Sequence, residues 1–243
     1  MHRPLMIEIK LLSSRRFEAL AGYTRRPEVV LYIEEIEWYA TSDERLMGLL
    51  ARGRIDGDFS WVILARDERR RFRAIDLNSS LLSPDAARQQ LFEKMNEQYK
   101  KPDEAYHQGD AFGPPTDFFT HVAAEDRLNP LFRALSTEER YSPARELIQA
   151  MMRFYEDTDG NFVEQFQTTA FGARIWELYV FATFTELGYA PAPDLATPDF
   201  LFSGPLGSVG VEATSVNPPN AGGVKPPNDK AGLIDYMENY VPN

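Results

Sequence analysis

The fold of this chain turns on Phe171-Gly-Ala-Arg-Ile-Trp-Glu-Leu-Tyr-Val-Phe-Ala-Thr-Phe-Thr-Glu-Leu-Gly188 and, after a short Ala/Pro stretch, on Pro198-Asp-Phe-Leu-Phe-Ser203, Gly204-Pro-Leu-Gly207 and Ser208-Val-Gly-Val-Glu-Ala-Thr-Ser215. From Ile175 to Phe184 every position except Glu177 and Thr183 is apolar, and a helix that is hydrophobic all round is a buried one. Glu177 therefore needs a cation, hydrogen bonds or a proton. Gly188 is a helix stop. The two following runs alternate with period two around a Gly/Pro turn, which predicts a hairpin. With Ser203 opposite Ser208, Phe202 meets Val209, Leu201 meets Gly210 and Asp199 meets Glu212. Phe200, Phe202, Val209, Val211 and Ala213 then share one face, and Asp199, Leu201, Glu212 and Thr214 share the other. Opposed acids with Cβ atoms roughly 5 Å apart repel each other. A hard divalent cation held by one or two carboxylates relieves that repulsion.

A helix carrying Glu177, Pro198-Asp199 at the start of a strand, and Glu212-Ala213-Thr214 on the paired strand follow one another in an order that resembles the PD-(D/E)XK nuclease superfamily, over about the last third of the chain. The resemblance implies a restriction-endonuclease-like α-β-β core with Mg²⁺ or Mn²⁺ held by Asp199 and Glu212, and by Glu177 directly or through water. It further implies hydrolysis of a phosphodiester in nucleic acid, DNA ahead of RNA, in a restriction or other DNA-processing role of prokaryotic defence. The candidate catalytic set is Glu177, Asp199, Glu212, Thr214 and Lys225. Thr214 stands at the family's lysine position, and a neutral hydroxyl does not stabilise developing negative charge as an ammonium does. Lys225 or Lys230 is the nearby replacement. The alternative is a catalytically inactive nuclease-like fold that serves as a binding or scaffold module.

Each acid also has a structural assignment. Glu177 can pair with Arg174 one turn back, Asp199 can cap the turn after Pro198, and Glu212 can be a solvated residue on an outer strand face. Glu164 and Gln165 offer a further ligand or hydrogen bond.

Over the whole chain, 243 residues with 43% hydrophobic and 12% aromatic content are enough for one sizeable core or two modest ones. The absence of cysteine and the scattering of His2, His107 and His121 exclude disulfides, thiolate sites and the usual zinc spacings. No apolar leader or membrane-length run is present, so a cytoplasmic protein with no membrane partner is expected. The net charge of −11 disfavours nucleic-acid binding through the surface at large.

The expected class is α/β or α+β, with an N-terminal α/β domain over 1–105, a Gly/Pro-punctuated linker over 106–117, and a helical segment leading into an incomplete nuclease-like unit over 118–243. Residues 28–40 read as one long or bent strand, and Thr41-Ser-Asp-Glu44 as a helix N-cap before a short helix over 44–51. Asp58–Arg66 and Arg71–Leu77 form a hairpin around a charged turn, and Ser83-Pro84 opens a helix running to Tyr99. Arg66, Arg69, Arg70, Arg71 and Arg73, with Arg52 and Arg54, offer a phosphate-binding face. The other assignments are a solvated hairpin balanced by Asp67, Glu68 and Asp76, or a surface for a partner protein; homodimerisation is open as well. Trp38 and Trp61 are expected to pack inward. Short helices are expected within 118–136, a longer one from Ser142 to Tyr155, a capping turn at 157–160, and a final helix from about Lys230 to Tyr240. A two-stranded sheet has no stable core alone, so either earlier residues supply more strands or the chain is the N-terminal part of a longer protein.

Overall fold

Leu46-Met-Gly-Leu-Leu-Ala51 is a continuous apolar run, and such a run reads equally as a buried strand or a short helix until its neighbours are known. In the computed structural model, which describes residues 7–111, 113–155, 157, 160–192, 199–214 and 229–240, the run is a strand. This overturns the helix expected over 44–51. Thr41 does not cap a helix: its hydroxyl donates to Asp43 Oδ1 and accepts the Leu46 N–H, while Glu44 takes a left-handed φ of 52°. The Thr-Ser-Asp-Glu signal thus closes a hairpin turn, which needs the same short polar side chains as a cap.

The N-terminal elements are β1 (Ile9–Leu12), α1 (Ser14–Ala21), α2 (Val29–Tyr32), β2 (Ile33–Thr41), β3 (Leu46–Gly53), β4 (Phe59–Arg66), β5 (Phe72–Leu81) and α3 (Pro84–Tyr99). The five strands form an antiparallel meander in chain order. The segment expected as one strand over 28–40 begins instead with the helical turn α2, and β1 and α1 have no counterpart in the sequence reading. α3 starts on the predicted Ser83 cap, whose hydroxyl accepts the Ala86 N–H, with Pro84 at its first position.

Alternation on β3 explains its unbroken hydrophobicity. Leu46 and Leu50 join Trp61, Ile63, Leu91 and Met95 beneath α3, whereas Met47 and Leu49 join Phe17, Leu20, Leu64 and Phe72 beneath α1. A sheet covered on both faces needs no polar period. Gly48 lets α3 come close: a Cβ there would lie 2.9 Å from Met95 Sδ. Trp61 is buried and Trp38 packs at the edge of the α1-side cluster, both pointing inward.

The second half contains α4 (Pro130–Thr137), α5 (Ser142–Met151), α6 (Phe162–Gln167), α7 (Phe171–Glu186), β6 (Ala190–Pro191), β7 (Phe200–Gly204), β8 (Gly207–Val211) and α8 (Lys230–Tyr240). The architecture as a whole is α+β. Residues 118–211 supply a third, aromatic-rich core in which Phe118, Phe132, Phe166 and Phe202 are fully buried. Earlier residues do extend the C-terminal hairpin, since β6 pairs with β7 to make a three-stranded sheet. Asp157 caps α6 by accepting the Phe162 N–H.

The buried clusters divide near residues 106–118: Tyr106 closes the core under α3, and Phe118 opens the aromatic core. Apolar and aromatic contacts join the halves, beside the Arg16–Glu146 ion pair. Ala150 of α5 enters the cluster under α1, and the Tyr23 ring stacks on Phe154 and Phe181 at 5.8 and 5.7 Å. Among the described residues no helix is long and apolar enough to cross a membrane.

Candidate functional site

The hairpin register is the one expected from period-two alternation: Phe200, Leu201, Phe202 and Ser203 pair with Val211, Gly210, Val209 and Ser208. The faces follow. Phe200 and Phe202 are buried, with Val209, Val211 and Ala213 packed beside them, whereas Asp199, Glu212 and Thr214 are exposed. Ring stacking fixes the sheet on the helix, with Phe184 on Phe202 at 4.6 Å and Phe181 near Phe200 at 6.4 Å. The order helix, strand, paired strand is therefore present around the three acids.

The acids themselves sit in two environments. Asp199 and Glu212 flank the open end of the hairpin, one residue beyond the last pair, Phe200 with Val211. Asp199 Oδ2 accepts the Ala213 N–H at 2.8 Å, so this side chain prolongs the backbone ladder by one bond. Its capping role and a ligand role are compatible, because a carboxylate has about four acceptor positions.

Glu177 is buried on α7. Arg174 Nη1 donates to both of its oxygens, at 2.7 and 2.6 Å, and the Tyr155 hydroxyl lies 3.5 Å from Oε2. Burial, and then the Glu177 charge, push Tyr155 well above the usual tyrosine range, which keeps it a proton donor. Arg174 is held in turn by Gln165, which accepts from its Nε and Nη2, and by the face of Phe162. Gln165 thus serves Arg174 rather than an ion, and Glu164 pairs with Arg127.

The sequence predicts Asp199 opposite Glu212, and each stands one residue beyond the last pair of the hairpin, Phe200 with Val211. It leaves Glu177 between an arginine and a metal, and in this structure the arginine holds it. Among the described residues no three His, Asp or Glu side chains are grouped so as to hold a metal ion. Pro198 and Lys225 lie outside the described residues, and Lys230 is exposed at the start of α8.

The donor set nevertheless fits one class of cation. Two exposed carboxylates on opposed strands, with hard oxygen donors and open solvent, suit Mg²⁺ or Mn²⁺, which keep several waters and take one or two protein carboxylates. Comparison of the chain with protein-family models, with curated proteins and with solved structures returned no match.

The arginine face resolves differently from its sequence reading. Arg52 pairs in register with Phe59, at the far end of β4 from Arg66, so Arg52 and Arg54 lie some eight residues of strand, on the order of 25 Å, from the charged turn. Arg71 is bound to the buried Asp67, which also accepts the N–H groups of Arg69 and Arg71, and Arg73 is bound to Asp110. These two guanidiniums are already neutralised. Arg153 of the helical half, which no sequence signal connects to this turn, stands beside Arg66 and Arg70.

Proposed function

We propose that the unit built on α7 and the β7–β8 hairpin is a nuclease-like, metal-dependent phosphodiester hydrolase acting on DNA, with Mg²⁺ or Mn²⁺ at Asp199 and Glu212. What supports the reading is the antiparallel register that carries these two acids to the same end and the same solvent face of the hairpin, above the helix that bears Glu177. A divalent cation there supplies Lewis acidity and a more acidic bound water. This chain's own part is to hold that cation from two sides. Asp199 is oriented for it by the Ala213 N–H, which fixes the carboxylate without neutralising it. Arg174 holds Glu177 by both carboxylate oxygens beneath the sheet, and the exposed Thr214 is on the same outer face as the two proposed ligands.

A second reading rests on two observations: Thr214 occupies the lysine position, and Glu177 is spent on Arg174. Under it the same unit is a binding or scaffold module that keeps the geometry and has no hydrolytic activity. Incubation with plasmid DNA in Mg²⁺ or Mn²⁺ separates the two. The hydrolase reading expects metal-dependent nicking by the wild type that Asp199→Ala abolishes, and absence of any metal-dependent cleavage rejects it.

The metal claim has its own measurement. Calorimetric titration with Mn²⁺ is expected to give binding that Glu212→Ala weakens by about tenfold, equivalent to about 1.4 kcal/mol. Identical isotherms for wild type and variant would remove Glu212 from the site.

A further inference from the structure

The cleft of about 670 Å³ between the β2–β3 turn, the β4–β5 turn and α5 is lined by both halves of the molecule, with Arg66 and Arg70 from one side and Arg153 from the other. Its volume is that of a small-molecule site.

Ion pairing inside and around this cleft is uneven. Its acids are engaged: Glu44 and Glu146 share Arg16, Asp103 takes Arg45, and Asp67 takes Arg71. Glu68 accepts backbone N–H groups of Gln108 and Gly109, and Asp43 accepts from the Thr41 and Tyr99 hydroxyls. Arg66, Arg70 and Arg153, in contrast, have no carboxylate within salt-bridge distance among the described residues. Among the described residues Arg66 donates to the Arg70 carbonyl, at 3.2 Å, and lies over the Phe72 ring, and Arg153 donates to the Thr116 carbonyl. The opposing charges that act on them are Glu44 for Arg66 and Asp117 for Arg153. Glu44 is already bound to Arg16, and Asp117 to the Phe119 and Thr120 N–H groups.

The three cations also act on one another. Loss of hydration, then Arg153 and Arg70, draw Arg66 below the usual arginine range. Desolvation and Arg70 do the same to Arg153 against the pull of Asp117. All three stay charged, since a guanidinium keeps its proton in proteins. A fourth arginine adds to the imbalance: Arg69 donates to the Thr116 hydroxyl, and its Nε is buried with no acceptor. Arg70 itself is held in a left-handed conformation, φ 61°, at the tip of a turn whose geometry the buried Asp67 fixes. Gathering like charges this closely costs free energy unless an anion joins them.

We infer that this cleft binds the phosphate group of a small phosphorylated ligand, with Arg66, Arg70 and Arg153 supplying the charge-assisted donors. Guanidinium forks match phosphate oxygens in pairs. The acidic rim of Asp43, Glu68 and Asp103 and the net charge of −11 favour a compact phosphoanion over the extended backbone of a nucleic acid. Because the donors come from both halves, the ligand would also fasten the N-terminal sheet to α5. The inference is independent of the reading of Asp199 and Glu212.

The test uses inorganic pyrophosphate as the probe, at constant ionic strength, read by thermal shift and calorimetry on the full chain. The wild type is expected to bind and to melt at higher temperature with pyrophosphate. Arg153→Gln and Arg66→Gln are each expected to weaken binding by about tenfold, whereas Arg73→Gln, whose partner is Asp110, binds as the wild type does. Should Arg153→Gln fail to fold, Arg70→Gln at the exposed turn tip carries the same expectation. No response to pyrophosphate, or an equal response in the wild type and in Arg66→Gln and Arg70→Gln, overturns the inference. So does binding of duplex DNA that these substitutions abolish while pyrophosphate has no effect.

Discussion

Leucine in place of Gln167 is expected to unfold the helical half of this protein under conditions where the wild type is folded. Gln167 is fully buried, and its amide makes four bonds to the backbone of one loop. Its oxygen accepts the N–H groups of Val122 and Ala123, at 2.9 and 3.3 Å, and its nitrogen donates to the carbonyls of Phe118 and Thr120, at 3.0 and 2.8 Å. Two donors and two acceptors meet the amide in the one orientation that satisfies all four, which fixes which end is oxygen.

Leucine has a similar volume, so the loss is not one of packing. It strands up to four buried backbone groups, each costing about 1–3 kcal/mol when it finds no water. Partial hydration of the loop reduces the sum, and a net loss on the order of 5 kcal/mol is expected. That is comparable to the entire stability of many domains. Urea unfolding followed by far-ultraviolet circular dichroism measures it. Gln89→Leu, at an exposed helical site whose side chain meets Glu93, is the control and should stay within about 0.5 kcal/mol of the wild type. A Gln167→Leu midpoint as close to the wild type as that of the control would sink the claim that this amide holds the loop.

Removal of the Arg174 side chain is expected to cost about 3 kcal/mol, and removal of both Arg174 and Glu177 considerably less. Glu177 lies on a helix whose surroundings are Leu178, Val180 and Phe181, all buried, and its side chain is only 11% exposed. Arg174→Leu leaves that carboxylate in a poorly hydrated place with only the distant Tyr155 hydroxyl for company, and an uncompensated buried charge is the expensive case. Arg174→Leu with Glu177→Leu removes the charge together with its partner, and a well-packed apolar pair is often neutral relative to the ion pair. The asymmetry between single and double substitution, read as a double-mutant cycle by chemical denaturation, is the diagnostic. Equal losses in the two proteins would mean that Arg174 acts through its contacts with Gln165 and Phe162 instead.

This second experiment bears on function as well. As long as Arg174 donates to both Glu177 oxygens, Glu177 contributes to a cation site only through the field of an ion pair, not as a ligand. The cation site proposed at Asp199 and Glu212 does not depend on it. Asp199→Ala and Arg174→Leu therefore address different parts of the same proposal, one the ligand set and the other the support beneath it.

Legibility along the chain varied with how far each residue's partners lie in sequence. The β7–β8 register was readable because its turn and its alternation are contained within about sixteen residues, and slipping it by one would bury Asp199 and expose Phe202. The Ser83 cap and Pro84 marked a helix start for the same local reason. Leu46–Gly53 carries no strand signal of its own because its polar period is erased by burial on both faces, and the two helices that bury it, α1 and α3, are distant in sequence. Val29–Tyr32 reads as part of the following strand but forms a helical turn, because the strand preference of β-branched residues is weak against context. Nothing local marks Gln167 as a hub, since a glutamine on a short helix resembles any surface glutamine until the loop it holds is seen.

What the sequence by itself determined is the set of things that one residue and its near neighbours decide: the α+β class, the positions of α3, α7 and α8, the two faces of the C-terminal hairpin, and the absence of any thiolate or disulfide chemistry. What only the tertiary structure decided is which charge meets which. Arg174 reaches Glu177, Arg71 reaches Asp67, and Arg66, Arg70 and Arg153 line one cleft with no carboxylate within salt-bridge distance among the described residues. Hydrogen bonds and ion pairs exist only within about 3–4 Å, and Arg70 and Arg153 are brought to the walls of one cleft by the docking of two separate cores, a geometry that no local pattern of side chains encodes.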